Sequence, residues 1–253
     1  MAEGQRVLSA VSEAEIDALK AELRARLRPL SGSLEEFAQE CVDVIYQRFE
    51  AATVLVRAFA TLSLGILPPR ERTFASSLAT SAVSSPGLNP DTQVLTLLGS
   101  RGDLPEWNGR ERSQGHVAIP LLSPAFVDSA PMIARLLREL GAEVGPATAT
   151  DSRTTLRIVG GGAAGMFYVE DARTGTDDKG RKVIAAQDFV VKHGVRTVLG
   201  VGGPYGGSKS RMIAIVLFMR EHVTKDTANL LLPIATLFKA VTASTVIQGK
   251  IFK

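Results

Sequence analysis

The residues best suited to binding chemistry lie in one stretch, Val94 to Leu122, which reads VLTLLGSRGDLPEWNGRERSQGHVAIPLL. Two apolar, strand-like runs enclose a charged loop there, and loops carried on a rigid sheet are where binding residues concentrate. Tryptophan offers a stacking surface, and arginine offers a planar fork for carboxylate or phosphate groups. The pattern predicts a small-molecule site with these candidate ligand-binding residues: Arg101, Trp107, Arg110, Arg112 and His116.

A structural interpretation of the same loop stays open at this point. Trp107 would then anchor the loop, and Arg112 would pair with Asp103 or Glu106. Exposed ion pairs of that kind contribute little stability. The residues identify neither the ligand nor a cofactor.

Gly160, Gly162 and Gly165 form a GxGxxG pattern after a strand-like run, which suggests an alternative function as a flavin- or nicotinamide-dependent enzyme. That motif requires a helix to start within it, so that backbone N–H groups meet the pyrophosphate. The following residues, MFYVEDARTG, have no helical apolar stripe. A glycine turn between two strands is therefore favoured, and a wide hairpin turn is favoured for the second glycine cluster at 200–210.

Catalytic constellations are not visible in the sequence. His116, His193 and His222 are far apart, and neither an HExxH pattern, a cysteine pair nor a GxSxG elbow occurs. Cys41 lies among the apolar residues of a helical pattern, so we expect a buried thiol. The prediction is a protein without catalytic residues or a metal site.

Composition narrows the class of partner and the compartment. The net charge is +3, and the basic residues are scattered rather than interleaved with aromatics, which disfavours nucleic-acid binding. A single cysteine and no secretory segment favour the cytoplasm. The longest apolar run, Met212 to Met219, is too short to cross a bilayer, so no membrane partner is expected.

The element pattern favours an α+β fold with a mostly antiparallel sheet and the terminal helices on one face. Capping boxes at Ser12 and Ser33 start two helices, and Ser129 is expected to cap a later one. The last helix is expected to begin near Thr224 and to be kinked at Pro233. The other predicted segments are a helix over 71–81, a linker over 142–155, a helix over 185–193, and strands over 53–62, 93–98, 116–122, 155–159 and 166–170, followed by a hairpin over 196–220.

Several segments resemble the GAF-like N-terminal sensory region of bacterial hybrid histidine kinases. They are SLEEFAQECVDVIYQRF (33–49), VLTLLGSRGDLPEWNGRERSQGHVAIPL (94–121), APMIARLLRELG (130–141), AAQDFVVKHGVRTVLGVGG (185–203) and IAIVLFMREHVTKDTANLLLPIATLFKAV (213–241). The resemblance implies an antiparallel sheet with flanking helices, a pocket between sheet and loops, and no catalytic residues.

The resemblance also implies dimerisation through the terminal helices. The expected organisation is a helical extension over 1–32, a GAF-like sensory domain over 33–245 and a tail over 246–253. Because neither a phosphoacceptor helix nor an ATP-binding segment follows in this sequence, we expect either a free-standing sensor or one that acts through a partner protein. A ligand-free dimerisation scaffold is a second alternative.

Overall fold

A six-stranded antiparallel sheet forms the centre of the molecule. The computed structural model describes residues 7–80, 87–145, 156–159, 162–206, 208 and 210–253. The sheet order is β3-β2-β1-β8-β7-β6, and β4 and β5 form a separate hairpin. The strands are β1 Thr53–Ser63, β2 Gln93–Gly102, β3 Ala118–Pro120, β4 Ala142–Val144, β5 Leu156–Ile158, β6 Gly165–Val169, β7 Thr197–Pro204 and β8 Met212–Met219.

Helices cover both sides of this sheet. They are α1 Glu13–Leu27, α2 Leu34–Arg48, α3 Pro69–Thr80, α4 Pro124–Asp128, α5 Pro131–Glu139, α6 Gln187–Lys192, α7 Lys225–Asn229 and α8 Leu232–Ile247. Both predicted capping boxes are confirmed, because Ser12 and Ser33 each accept a backbone hydrogen bond from the glutamate three residues later. The predicted α+β class, with an antiparallel sheet and the terminal helices on one face, is confirmed.

The sheet has two unlike faces. Successive side chains of a strand point to opposite sides, and in β1 Val56 and Ala58 pack with α1, α2 and α8 whereas Leu55 and Phe59 pack on the other side. We call the first side the helix face. The second side, which we call the loop face, is covered by α4, α5, α6 and the chain between β2 and β3.

The end of the chain packs onto the start of α2. The backbone N–H groups of Leu34 and Glu35 donate to the carbonyls of Lys250 and Ile251 at 2.8 and 2.9 Å. First-turn N–H groups have no partner inside their own helix, so this segment supplies the missing acceptors. The predicted domain boundaries at residues 32 and 245 stay a prediction.

Two predicted helix features are wrong. Ser129 ends α4 rather than capping α5, whose N-cap is Ala130 without a side-chain bond. Pro233 does not kink a continuous helix: α7 ends at Asn229, and Pro233 stands in the first turn of α8. A proline lacks a backbone N–H, which costs nothing in a first turn, so a break and restart avoids the interior penalty.

Most of the other predicted elements agree with the structure to within a few residues. β2 extends four residues past its predicted end, and β4 occupies 142–144, the first part of the predicted linker. Residues 146–155 lie outside the described part of the chain.

The segment Lys225–Ile247 is long and apolar enough, by length and composition alone, to cross a membrane. An 18-residue window within it has a mean hydropathy of 1.8, and half of that window is buried inside the fold. Ile234, Ala235 and Phe238 belong to the core of the helix face. This segment therefore acts here as a core helix pair.

Candidate functional site

Trp107 lies directly on the loop face. A Cβ atom built on Gly102 would stand 2.8 Å from the indole Cε3 atom, so the absence of a side chain at Gly102 makes room for the ring. The indole also meets the rings of Phe189 at 5.6 Å and His193 at 4.8 Å between centroids, both edge to face. Phe189 in turn contacts Phe218 at 5.5 Å. These four rings form an aromatic cluster between the loop, α6 and β8.

Arg57 lies on the same face, in the middle of β1. Its side chain is only 8% exposed. The Nη1 atom donates to the carbonyl of Gly115 at 2.8 Å, whereas Nε has no acceptor among the described residues. Burial lowers the pKa of this guanidinium to about 10. A buried cation whose hydrogen-bonding capacity is partly unused is an unusual core residue.

His116 follows Gly115 and adopts a left-handed backbone conformation, with φ of 55°. Among the described residues other than glycine, no other has a positive φ. The side chain keeps exposed surface. Desolvation of the ring, together with the positive charge of Arg57, lowers the pKa of His116. The neutral imidazole is therefore favoured beside Arg57.

Arg110 is buried and is held by two carboxylates. It is 9% exposed, and its Nε and Nη1 atoms donate to Glu35 at 2.9 Å and to Glu71 at 2.6 Å. Its guanidinium also lies 5.3 Å from the centroid of the Phe252 ring. Although desolvation opposes its charge, the hydrogen bonds and charges of Glu35 and Glu71 raise the pKa of Arg110. The loop is thereby tied to α2, α3 and the end of the chain.

The remaining arginines lie apart from this arrangement. Arg101 is 3.9 Å from Asp43 and 5.6 Å from the centroid of the Tyr46 ring, both on α2. Arg112 is exposed and forms no ion pair with the described residues; Asp103 pairs with Arg220 instead. Of the five predicted ligand-binding residues, Trp107 and His116 lie beside the loop face, and a role in binding stays a prediction for all five.

Sequence reasoning missed Arg57 and the rings of α6. The signal for Arg57 was present, since VLVRAFA places one charge inside an otherwise apolar strand. A charged side chain in a buried strand needs a partner or a purpose. The proximity of His193 to Trp107 had no sequence signal, because the two residues are 86 positions apart.

The glycine motif does not form a dinucleotide site in the described residues. Gly165 begins β6, which pairs antiparallel with β7, so a strand stands where the motif requires a helix. Gly160 and Gly161 lie outside the described residues. A Cβ atom at Gly165 would stand 2.3 Å from the carbonyl oxygen of Glu139, which gives this glycine a packing reason.

A separate groove of about 600 Å³ lies away from the loop, between α1 and α8. Its lining includes Leu27, Phe37 and Leu237, with Arg24 and Arg28 among its charged residues. Within the described part of the chain, no group of three or more His, Cys, Asp or Glu residues could hold a metal ion.

Comparison with known proteins identifies the fold. No family model and no curated protein matches the chain. The GAF domain of a phosphoenolpyruvate-protein phosphotransferase from Coxiella burnetii is 8% identical, with 94% of this chain and 99% of that chain covered and a TM-score of 0.51. That match shows a GAF-like fold, as predicted.

Two further solved structures are similar at lower TM-scores. The phycoerythrobilin-bound GAF domain of a cyanobacterial phytochrome is 12% identical, covers 95% of this chain and 99% of its own, and has a TM-score of 0.48. Free methionine-R-sulfoxide reductase from Neisseria meningitidis, in complex with its substrate, is 10% identical, with 96% and 99% covered and a TM-score of 0.48.

Proposed function

We propose that this GAF-like domain is a cytoplasmic sensory module that binds a small molecule on its loop face, beneath the β2–β3 loop, and has no catalysis of its own. The observation that carries the proposal is the contrast between the two faces of the sheet. Long helices seal the helix face with interlocking apolar side chains. The loop meets its face through single groups, the Trp107 indole on Gly102 and the Gly115 carbonyl on Arg57, while Arg110 ties it to α2 and α3.

Signal output would run through the terminal helices. The loop is joined to the first turn of α2 by the pair between Arg110 and Glu35, at 2.9 Å. Helix α2 packs on both α1 and α8. A ligand that favours one loop position would therefore favour one arrangement of these helices. We further propose that the helices form a homodimer contact and that a partner protein receives the signal.

The test is a thermal-unfolding screen of the purified protein against a metabolite library, combined with native mass spectrometry of co-purified molecules. A true ligand at 100 times its dissociation constant should stabilise the protein by about 2.7 kcal/mol. Trp107→Ala and His116→Ala should weaken that binding and leave the fold intact. Arg138→Ala, an exposed change on α5, is the control that should bind normally.

Other outcomes would contradict the proposal. If no metabolite raises the unfolding midpoint, the domain is a dimerisation scaffold. If the purified protein carries a flavin absorbance band, the alternative of a flavin-dependent enzyme is supported. If both loop variants bind normally, the ligand site lies elsewhere in the molecule.

A further inference from the structure

We infer that the ligand of the loop face is a small organic monocarboxylate, and that its carboxylate group is bound by Arg57 and Ser100. This inference rests on the proposed function, because it names the chemical class of ligand for the same site. It follows from buried hydrogen-bond donors that the protein leaves unused.

Two buried arginines of this protein have different hydrogen-bond partners. Arg57 and Arg110 are almost equally buried, at 8% and 9% exposed. Arg110 is held by the carboxylates of Glu35 and Glu71. Arg57 meets no carboxylate among the described residues, and its acceptor is a single backbone carbonyl. Arg57 therefore lacks the anion that Arg110 has. A buried charge without such compensation is strongly unfavourable, so an anion bound from solution would stabilise this site.

Ser100 supplies a second unused donor at the same place. It stands directly opposite Arg57 in the ladder between β1 and β2, and side chains at paired positions share one face of a sheet. Ser100 is fully buried, and its hydroxyl oxygen has no hydrogen-bond partner among the described residues. Two orphaned polar groups, Arg57 Nε and Ser100 Oγ, therefore occur on neighbouring strands where buried polar groups are normally satisfied.

A carboxylate fits these donors in geometry and in charge. Arg57 Nη2, like Nε, makes no hydrogen bond to the described residues, so the Nε–Nη2 edge of the guanidinium can donate two parallel bonds to one carboxylate. The Ser100 hydroxyl can donate a further bond to the same group. One positive charge matches a single carboxylate, whereas a doubly charged phosphate would remain uncompensated.

The loop leaves open space beside Gly115, above Arg57. A Cβ atom at Gly115 would meet nothing within 4 Å. A charged carboxylate is a stronger acceptor for a guanidinium than a neutral carbonyl is. The anion can therefore replace the Gly115 carbonyl or bind beside it, while the apolar part of the ligand lies toward Leu55 and Phe59 on the same strand.

The experiment compares carboxylates with the matching neutral amides. Propionate and benzoate, with propionamide and benzamide, are titrated into the protein in chloride buffer, and both the unfolding midpoint and the emission of Trp107 are recorded. Saturable stabilisation by at least one carboxylate and none by its amide is expected. The Arg57→Met variant should lose at least tenfold in affinity for that carboxylate, and Ser100→Ala about fivefold, while Arg138→Met binds as the wild type does.

The outcomes separate this inference from the proposed function. Equal binding of amide and acid, or undiminished affinity in Arg57→Met, overturns the carboxylate assignment. If the metabolite screen finds a neutral ligand that depends on Trp107, the sensory function stands and the carboxylate inference fails. If nothing binds in either experiment, both fail. Should Arg57→Met not fold, the acid and amide titrations of the wild type and Ser100→Ala decide.

Discussion

The indole of Trp107 lies where the side chain of residue 102 would be, and Gly102 leaves that space free. Replacing Gly102 by alanine should push the ring away and shift the emission of Trp107, the single tryptophan in the chain. Because the new Cβ would also stand 2.8 Å from the carbonyl oxygen of Val54, we expect a stability loss of about 1–3 kcal/mol. Denaturant unfolding followed by fluorescence measures both effects.

The control for that substitution is Gly206→Ala, since a Cβ atom at Gly206 meets nothing within 4 Å. Unchanged emission in Gly102→Ala would show that the indole does not rest on this glycine in solution.

Removing one partner of the buried pair between Arg110 and Glu71 should destabilise the protein. Glu71 is fully buried, and its Oε1 atom accepts from Arg110 Nη1 at 2.6 Å. Glu71→Gln removes one of the two carboxylates that hold Arg110 and leaves Glu35, so a loss of about 1.5–3 kcal/mol is expected in urea unfolding. The control is Glu111→Gln, an exposed change next to Arg110 in the loop. Its unfolding free energy should stay within about 0.5 kcal/mol of that of the wild type.

Arg57→Met, unlike Glu71→Gln, should not lower the stability of the protein. In buffer without organic anions, the variant loses one bond to a neutral carbonyl and also loses an unpaired buried charge. Replacing buried charges by apolar groups of similar size is often neutral or stabilising. We therefore expect the unfolding midpoint of Arg57→Met to equal or exceed that of the wild type. A clear loss of stability would mean that Arg57 serves mainly to hold the loop.

His116 should make the protein less stable as the pH falls. Its pKa is lowered in the folded state, so the unfolded chain, with an ordinary histidine pKa of about 6.5, takes up a proton at higher pH. Protonation then favours unfolding as the pH drops through that value. His116→Gln removes this contribution, and the difference in midpoint between variant and wild type should change between pH 8 and pH 5. A constant difference would contradict the lowered pKa.

Cys41 should resist thiol reagents in the native protein. The residue is fully buried on α2, and burial raises the pKa of its thiol. Because the thiolate is the reactive form, labelling with a disulfide reagent should follow the rate of unfolding. Rapid labelling under native conditions would show that α2 opens far more readily than its packing indicates.

The fold could be predicted from sequence because its signals are local. Capping boxes at Ser12 and Ser33 fix two helix starts, and the apolar run at Met212–Met219 fixes a central strand. The errors at Ser129 and Pro233 arose where a five-residue helix is followed at once by a second helix. Sequence alone does not show that the first helix ends before the second begins.

The candidate site was harder to predict, because its relationships are long-range. Arg110 is a sound candidate by residue type, yet it is held by Glu35 and Glu71, which lie 75 and 39 positions away in sequence. The Arg57 and Ser100 pairing depends on the register of β1 against β2, including an irregularity between Ala58 and Phe59 that shifts which residues face each other. Spacing in the sequence does not reveal such a shift.

The contacts of Arg110 couple the position of the β2–β3 loop to the positions of two helices. Its guanidinium fork is gripped on both sides by carboxylates of different helices, and its flat face is backed by the ring of Phe252. A rigid, doubly held fork stretches little, so lifting the loop by an ångström would pull on α2, α3 and the end of the chain together. A displacement of the loop would thus reach the helices of the helix face through two ion pairs rather than through a continuous path of apolar contacts.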